Sequence, residues 1–157
     1  MTLLFPRLGS PELEPYVAPF GRMMLAFARA TAALIELVQV QGKSEAEAVL
    51  LVGTAGTKDL PKELLKLFKS KLDKEQDAKL RHAAAEYKAV GEERHHLVHG
   101  DWWFNVFENG VLTVRRVRKN KIEHREVTSA ADLDNWAARL NAVADDFDDL
   151  TWQLSVA

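Results

Sequence analysis

Apolar residues between Phe20 and Val38 recur at alternating steps of four and three. Phe20, Met24, Phe27, Thr31, Leu34 and Val38 form one stripe broken only by the threonine. A helix of about 3.6 residues per turn puts such positions on one face. A second series, Leu25, Ala28, Ala32 and Ile35, runs beside the first. Together they predict a long helix over 12–41, bent near Pro19 and Gly21. A helix apolar on two sides is central to a bundle or shared with a partner chain. Arg29, Glu36 and Gln39 interrupt the same stretch, so it reads as a buried helix and not as a membrane span.

Turn and cap signals divide the chain beyond Gln41. Gly42 stops the first helix, and Ser44 with Glu47 three residues on forms a capping box for a second helix over 45–52. Gly53, Thr54, Ala55, Gly56 and Thr57 read as a loop. Asp59 and Pro61 then open a third helix carrying Leu64, Leu65, Phe68 and Leu72, with Lys62, Lys66 and Lys69 on its other face. A fourth helix is expected over 75–99. Its stripe is Leu80, Ala83, Ala84, Tyr87, Val90, Gly91, Leu97 and Val98.

After Gly100 the apolar period changes from helical to two. Trp102, Phe104 and Val106 alternate with Trp103, Asn105 and Phe107, as in a strand. Asn109-Gly110 is a hairpin turn, Val111 to Val117 the return strand, Lys119-Asn120 a second turn, and Lys121 to Val127 a third short strand. Thr128 or Ser129 caps a last helix over 130–155 whose face carries Leu133, Trp136, Leu140, Val143, Phe147 and Leu150. The expected fold class is therefore mainly α. It is a bundle of four to five helices with an inserted β-hairpin or three-stranded meander at about 102–127, before the last helix. The 11 residues before the first helix, with Pro6, Gly9 and Pro11, read as an irregular arm.

Length and composition bound the rest. A chain of 157 residues is long enough for one domain with its own core, and no repeat or linker divides 1–157. With 47% hydrophobic and 28% charged residues it reads as globular. A net charge of -2 excludes a uniformly basic surface but not a local basic patch. No cysteine is present, which excludes disulfides, thiolate zinc sites and a cysteine nucleophile. The first residues carry no secretory pattern, so the expected location is cytoplasmic, without a membrane partner.

Chemistry concentrates at the end of the fourth helix, in Glu92-Glu93-Arg94-His95-His96-Leu97-Val98-His99-Gly100-Asp101-Trp102-Trp103. Three of the five histidines lie in this run. Arg94 falls near the middle of the apolar stripe, where a guanidinium needs a carboxylate, a phosphate or a water-filled cleft. His95 and His99 lie one turn apart at the edge of that face, Glu92 close to it, and His96 is expected to point away. An always-charged arginine and a histidine that titrates near neutrality together suit the handling of a phosphate.

In Arg94, His95 and His99, placed near the end of a bundle helix, the chain resembles the HEPN superfamily. The motif of that family is Arg, four to six residues, His, commonly with a polar residue after the Arg. The resemblance is specific over 94–99 and diffuse over the other helices, and the β segment is an addition to the generic bundle. It implies a metal-independent endoribonuclease or RNA-binding protein that needs no cofactor, with a site shared across a homodimer. It also implies that His99 acts as general base or acid on the 2′-hydroxyl or the leaving oxygen. Arg94 would hold the phosphate, and His95 would orient the groups. Bacterial relatives act as toxins or in defence, often with a nucleotidyltransferase-type antitoxin. The alternative is a non-catalytic helical module that dimerises or holds a protein partner.

Other features are weaker. Glu92, His95 and His99 have metal-ligand spacing, with His82 and His124 as guesses for further ligands, but no closed ligand set is visible and no metal is expected. Arg115, Arg116, Arg118, Lys119, Lys121 and Arg125, next to Trp102 and Trp103, suit an RNA strand bound by phosphate contacts and stacking. They equally suit a solvated hairpin. Asp145, Asp146, Asp148 and Asp149 read first as a solvated face, or else call for a basic partner, either the hairpin or the lysine face of the third helix. No Gly-Lys-Ser/Thr follows Gly53 to Thr57, so that stretch is not a phosphate loop.

Overall fold

The structure, a computed structural model, describes the backbone of residues 3–4, 11–105, 111–127 and 129–157. It describes the side chains of 11–53, 59–100, 119–122 and 129–157. The chain is mainly helical. Its helices are α1 (Glu14–Gln39), α2 (Glu45–Leu67), α3 (Lys74–His99) and α4 (Ala130–Ser155).

Helix α1 runs through Pro19, which is buried inside it, and Gly42 closes its exit with a φ of 80°. That is the left-handed conformation glycine adopts without steric cost. The buried face of α1 differs from the expected one. Met23, Ala26, Ala30, Ala33, Leu34, Leu37 and Val38 point inward. Of the second series, Leu25, Ala28 and Ala32 are exposed, Leu25 to 73%, and Ile35 is half-buried. The expectation of a helix apolar on two sides is therefore corrected. Of the expected first stripe, Leu34 and Val38 are buried and Phe20, Met24 and Phe27 pack half-buried against the core, while Ala26, Ala30 and Ala33 share the buried face with them, as Ala137 and Ala144 do on α4. Small residues on both sides let two backbones approach closely.

The expected loop at 53–57 is likewise corrected. Residues 45–67 form one continuous helix, so the second and third expected helices are one, and Asp59 and Pro61 open nothing. Glycine and threonine lower helix propensity by at most about 1 kcal/mol each, and burial of Ala48, Val52, Leu60 and Leu64 along one face outweighs that. The expected cap is present: Ser44 Oγ accepts from the Glu47 amide at 3.2 Å, and Glu47 accepts from the Ser44 amide at 2.8 Å. Helix α3 has an equivalent box in Asp73 and Gln76. At the start of α4, Ser129 holds the N-cap position but makes no side-chain capping bond. Thr128 lies outside the described residues.

Helix α4 lies in the expected place, with Leu133, Leu140, Val143, Phe147 and Leu150 buried and Trp136 half-buried. Charge fixes it on both flanks. Arg22 and Arg29 of α1 reach Asp134 and Asp145, while Lys79 and Glu86 of α3 reach Asp149 and Arg139. Among the described residues the aspartate cluster finds Arg29 and Lys79 as basic partners.

Between α3 and α4 the backbone of β2 (Asp101–Asn105), β3 (Val111–Arg118) and β4 (Lys121–Val127) pairs antiparallel in chain order. The register sets Trp102 against Val114, Trp103 against Thr113 and Arg116 against Glu123. Lys119 and Asn120 both have positive φ, 47° and 63°, which matches the twist of a two-residue hairpin turn. The arm expected over the first residues contains a strand, β1 (Leu3–Leu4), on the open edge of β2. The expected Asn109-Gly110 turn, with Val106 and Phe107, lies outside the described residues.

Candidate functional site

The site is built where α1 and α3 pack. Tyr87 is buried on α3, and its ring stacks on Phe27 of α1 with centroids 5.1 Å apart and planes 21° apart. Its hydroxyl hydrogen-bonds the Thr31 hydroxyl at 2.8 Å, and Thr31 also donates to the Phe27 carbonyl at 2.9 Å. Burial pushes the Tyr87 phenol above its ordinary pKa, while the Thr31 bond and the positive charge of Arg94 pull the other way. The phenol therefore stays protonated and neutral at any physiological pH.

Two helical turns beyond Tyr87, Arg94 lays its guanidinium over the other member of the stack. Its Cζ stands 4.8 Å from the centre of the Phe27 ring. The residue is half-buried, and its Nε is buried without a hydrogen-bond partner among the described residues. A guanidinium over an aromatic face is attracted by the ring quadrupole, by roughly 0.5–2 kcal/mol. That attraction does not satisfy the Nε–H, and a buried unpaired donor costs about 1–3 kcal/mol. The expectation that Arg94 sits on the apolar face is met by this geometry.

The histidines are arranged otherwise than expected. His96 is the one turned inward, only 3% exposed, and it is the buried polar residue of the described core. His95 and His99 are exposed. Leu97 is buried as expected, but Val98 is 38% exposed. His96 lies about 160° round the helix from Arg94 at 100° per residue, so the last turn is covered on two sides, along Arg94 and Leu97 and again at His96. His95 and His99 come together, with ring centres 4.5 Å apart and planes at 61°. His99 lies about 140° round the helix from Arg94 at 100° per residue. Within one chain, arginine and histidine therefore leave α3 in different directions.

The backbone of Trp102, Trp103, Arg115, Arg116 and Arg118 lies on the β2–β3 ladder, directly after the helix end that carries His99. Their side chains, and with them the expected division of the two indoles between the faces of the sheet, lie outside the described ones. Among the described residues no group of three or more His, Asp or Glu side chains is gathered as a metal would need. Among those residues no helix is long and apolar enough to cross a membrane.

Phe27 and Tyr87 are the members of the site that sequence reasoning treated only as core. The signal was present: Tyr87 precedes Arg94 by seven residues, two turns on the same face. No known family model, curated protein or solved structure matches this chain.

Proposed function

We propose that this chain is a HEPN-like RNA-processing protein, a metal-independent endoribonuclease whose site is Arg94, His95 and His99. The observation that carries the reading is the buried Nε of Arg94, without a hydrogen-bond partner among the described residues and held over Phe27, at the end of α3 that also carries exposed His95 and His99. A fold tolerates a desolvated donor of that kind where a ligand supplies the missing acceptor. A phosphodiester oxygen is such an acceptor.

The chemistry follows from the groups. The RNA 2′-hydroxyl attacks the adjacent phosphorus, and the bond to the 5′-oxygen breaks. His99 takes the proton from the attacking hydroxyl or gives one to the leaving oxygen. Arg94 neutralises the charge that builds on the non-bridging oxygens. Because Arg94 and His99 leave one helix in different directions, a site shared between two copies in a homodimer supplies both to one phosphate. The positions Arg115, Arg116 and Arg118, with Trp102 and Trp103, lie on the strands that follow His99 and are the part of the chain proposed to meet an RNA strand. The resemblance adds a toxin or defence role with a protein antitoxin as partner.

The test is cleavage of a mixed RNA substrate with chelator present, by wild type, Arg94→Ala and His99→Ala, with folding checked by circular dichroism. Each variant is expected to lose at least about 10²-fold in rate. Equal cleavage by all three marks a contaminant. No cleavage by the wild type on any RNA moves the reading to the non-catalytic interaction module, in which Arg94 on Phe27 is a packing contact alone.

A further inference from the structure

We propose that the His95–His99 pair on the last turn of α3 also binds a divalent late first-row transition ion, of which zinc is representative. Bound there, the ion switches the site off. The second half rests on the ribonuclease reading above; the first does not.

Three observations converge on an ion. The first is distance. A metal–nitrogen bond of about 2.0–2.1 Å places an imidazole centre about 3.2 Å from the ion, so two rings have centres about 5.2 Å apart at a tetrahedral ion and about 4.5 Å apart in right-angled positions of a six-coordinate, water-completed one. The two rings stand 4.5 Å apart, at the i, i+4 spacing that lets one face of a helix offer two nitrogens to one ion. The second is field. His99 is the last residue of α3, and the C-terminal end of a helix carries partial negative charge that favours a cation. Exposed Glu92, one turn before His95, adds to that charge. The third is access, since both histidines are exposed, so water completes the coordination sphere.

The chemistry selects the class of ion. Neutral imidazole suits zinc, copper and nickel, whereas magnesium and calcium take oxygen ligands. With two protein ligands and open positions the site is not a closed structural centre. It exchanges its ion with the medium. A nitrogen that donates its lone pair to the ion no longer accepts a proton from a 2′-hydroxyl, so the bound ion blocks His99 without touching Arg94.

The experiment is calorimetric titration of the full chain with zinc chloride at neutral pH, beside RNA cleavage with and without the same ion. The wild type is expected to bind one zinc per chain. His95→Ala and His99→Ala, both surface changes, should each weaken binding by about 10²-fold, because a two-point attachment becomes a one-point one. His82→Ala, on the same helix but outside the pair, should bind as the wild type does. Equal affinity in the wild type and in both pair variants overturns the ion site. Zinc bound at the pair with undiminished RNA cleavage overturns the switch. An absence of RNA cleavage under all conditions overturns the ribonuclease reading instead, and the titration still decides the ion site.

Discussion

Arg94 stands over the ring of Phe27, its Cζ 4.8 Å from the centroid, while its Nε is buried with no hydrogen-bond partner among the described residues. The two facts oppose each other energetically. The ring attracts the cation by roughly 0.5–2 kcal/mol, and the unpaired donor costs about 1–3 kcal/mol. Arg94 therefore contributes little to stability on balance, and its retention calls for another reason.

The corresponding prediction is that Arg94→Met changes unfolding free energy by no more than about 1 kcal/mol, since methionine fills similar space over Phe27 without the unpaired donor. RNA cleavage should disappear in the same protein. Urea denaturation read by circular dichroism gives the first quantity. A loss of about 3–5 kcal/mol would mean that a buried partner charge has been stranded, and Arg94 would be structural.

The two serine N-caps differ in what they do, and they should differ in cost. Ser44 closes a full capping box with Glu47, whose pKa is lowered chiefly by the bond from the Ser44 backbone. Ser129 makes no side-chain capping bond. Ser44→Ala is expected to destabilise by about 1 kcal/mol and Ser129→Ala by no more than a few tenths. Thermal melts of the two variants side by side decide this, and equal losses would refute the difference in capping.

Legibility in the sequence followed physical period. The last helix was readable because its six apolar positions recur without interruption from Leu133 to Leu150 and all face the core or its margin. The first helix was readable in extent but not in orientation. Phe20 and Met24 do pack against the core, half-buried, but the fully buried line runs one position over, through Met23, Ala26, Ala30 and Ala33, whose alanines carry too weak a hydrophobic signal to mark it. The break expected at Gly53 to Thr57 followed local propensity, which burial of Val52 and Leu60 on either side overrides. At the site, Arg94 was legible from its place in the stripe. His96 was not, because it lies about 160° round the helix from Arg94, off the stripe that the helical period marks. Arg29, read only as an interruption of an apolar run, proved to be the partner of Asp145 and Asp148.

A shared site requires two copies. The chain is expected to sediment as a homodimer at micromolar concentration, in keeping with the twofold assemblies that dominate among soluble oligomers. Leu25, 73% exposed beside the Arg22–Asp134 pair, should tolerate Leu25→Ser within about 0.5 kcal/mol if its face is open in the assembly. A clean monomer at every concentration tested would remove the two-chain version of the site.

The last prediction concerns acid. Glu86 of α3 accepts two hydrogen bonds from Arg139 of α4, at 2.7 and 3.0 Å, and these hold its carboxyl below the ordinary glutamate pKa against a smaller opposing effect of burial. In the unfolded chain that bond is absent and the carboxyl returns to its ordinary value. A pKa depressed by folding stabilises the fold fully above the unfolded value. That contribution drains away as pH falls from there through the folded one. Both side chains are about a third exposed, so the pair contributes in the range of about 0.5–1 kcal/mol, not the value of a buried pair. Arg139→Met should therefore lower stability near pH 7 by that amount and leave it nearly unchanged once the pH lies below the folded-state pKa of Glu86. Urea midpoints of the variant and the wild type across this interval should converge as the pH falls. A gap of constant size down to the acid end would mean that Arg139 acts through packing of its aliphatic stem, and not through its charge on Glu86.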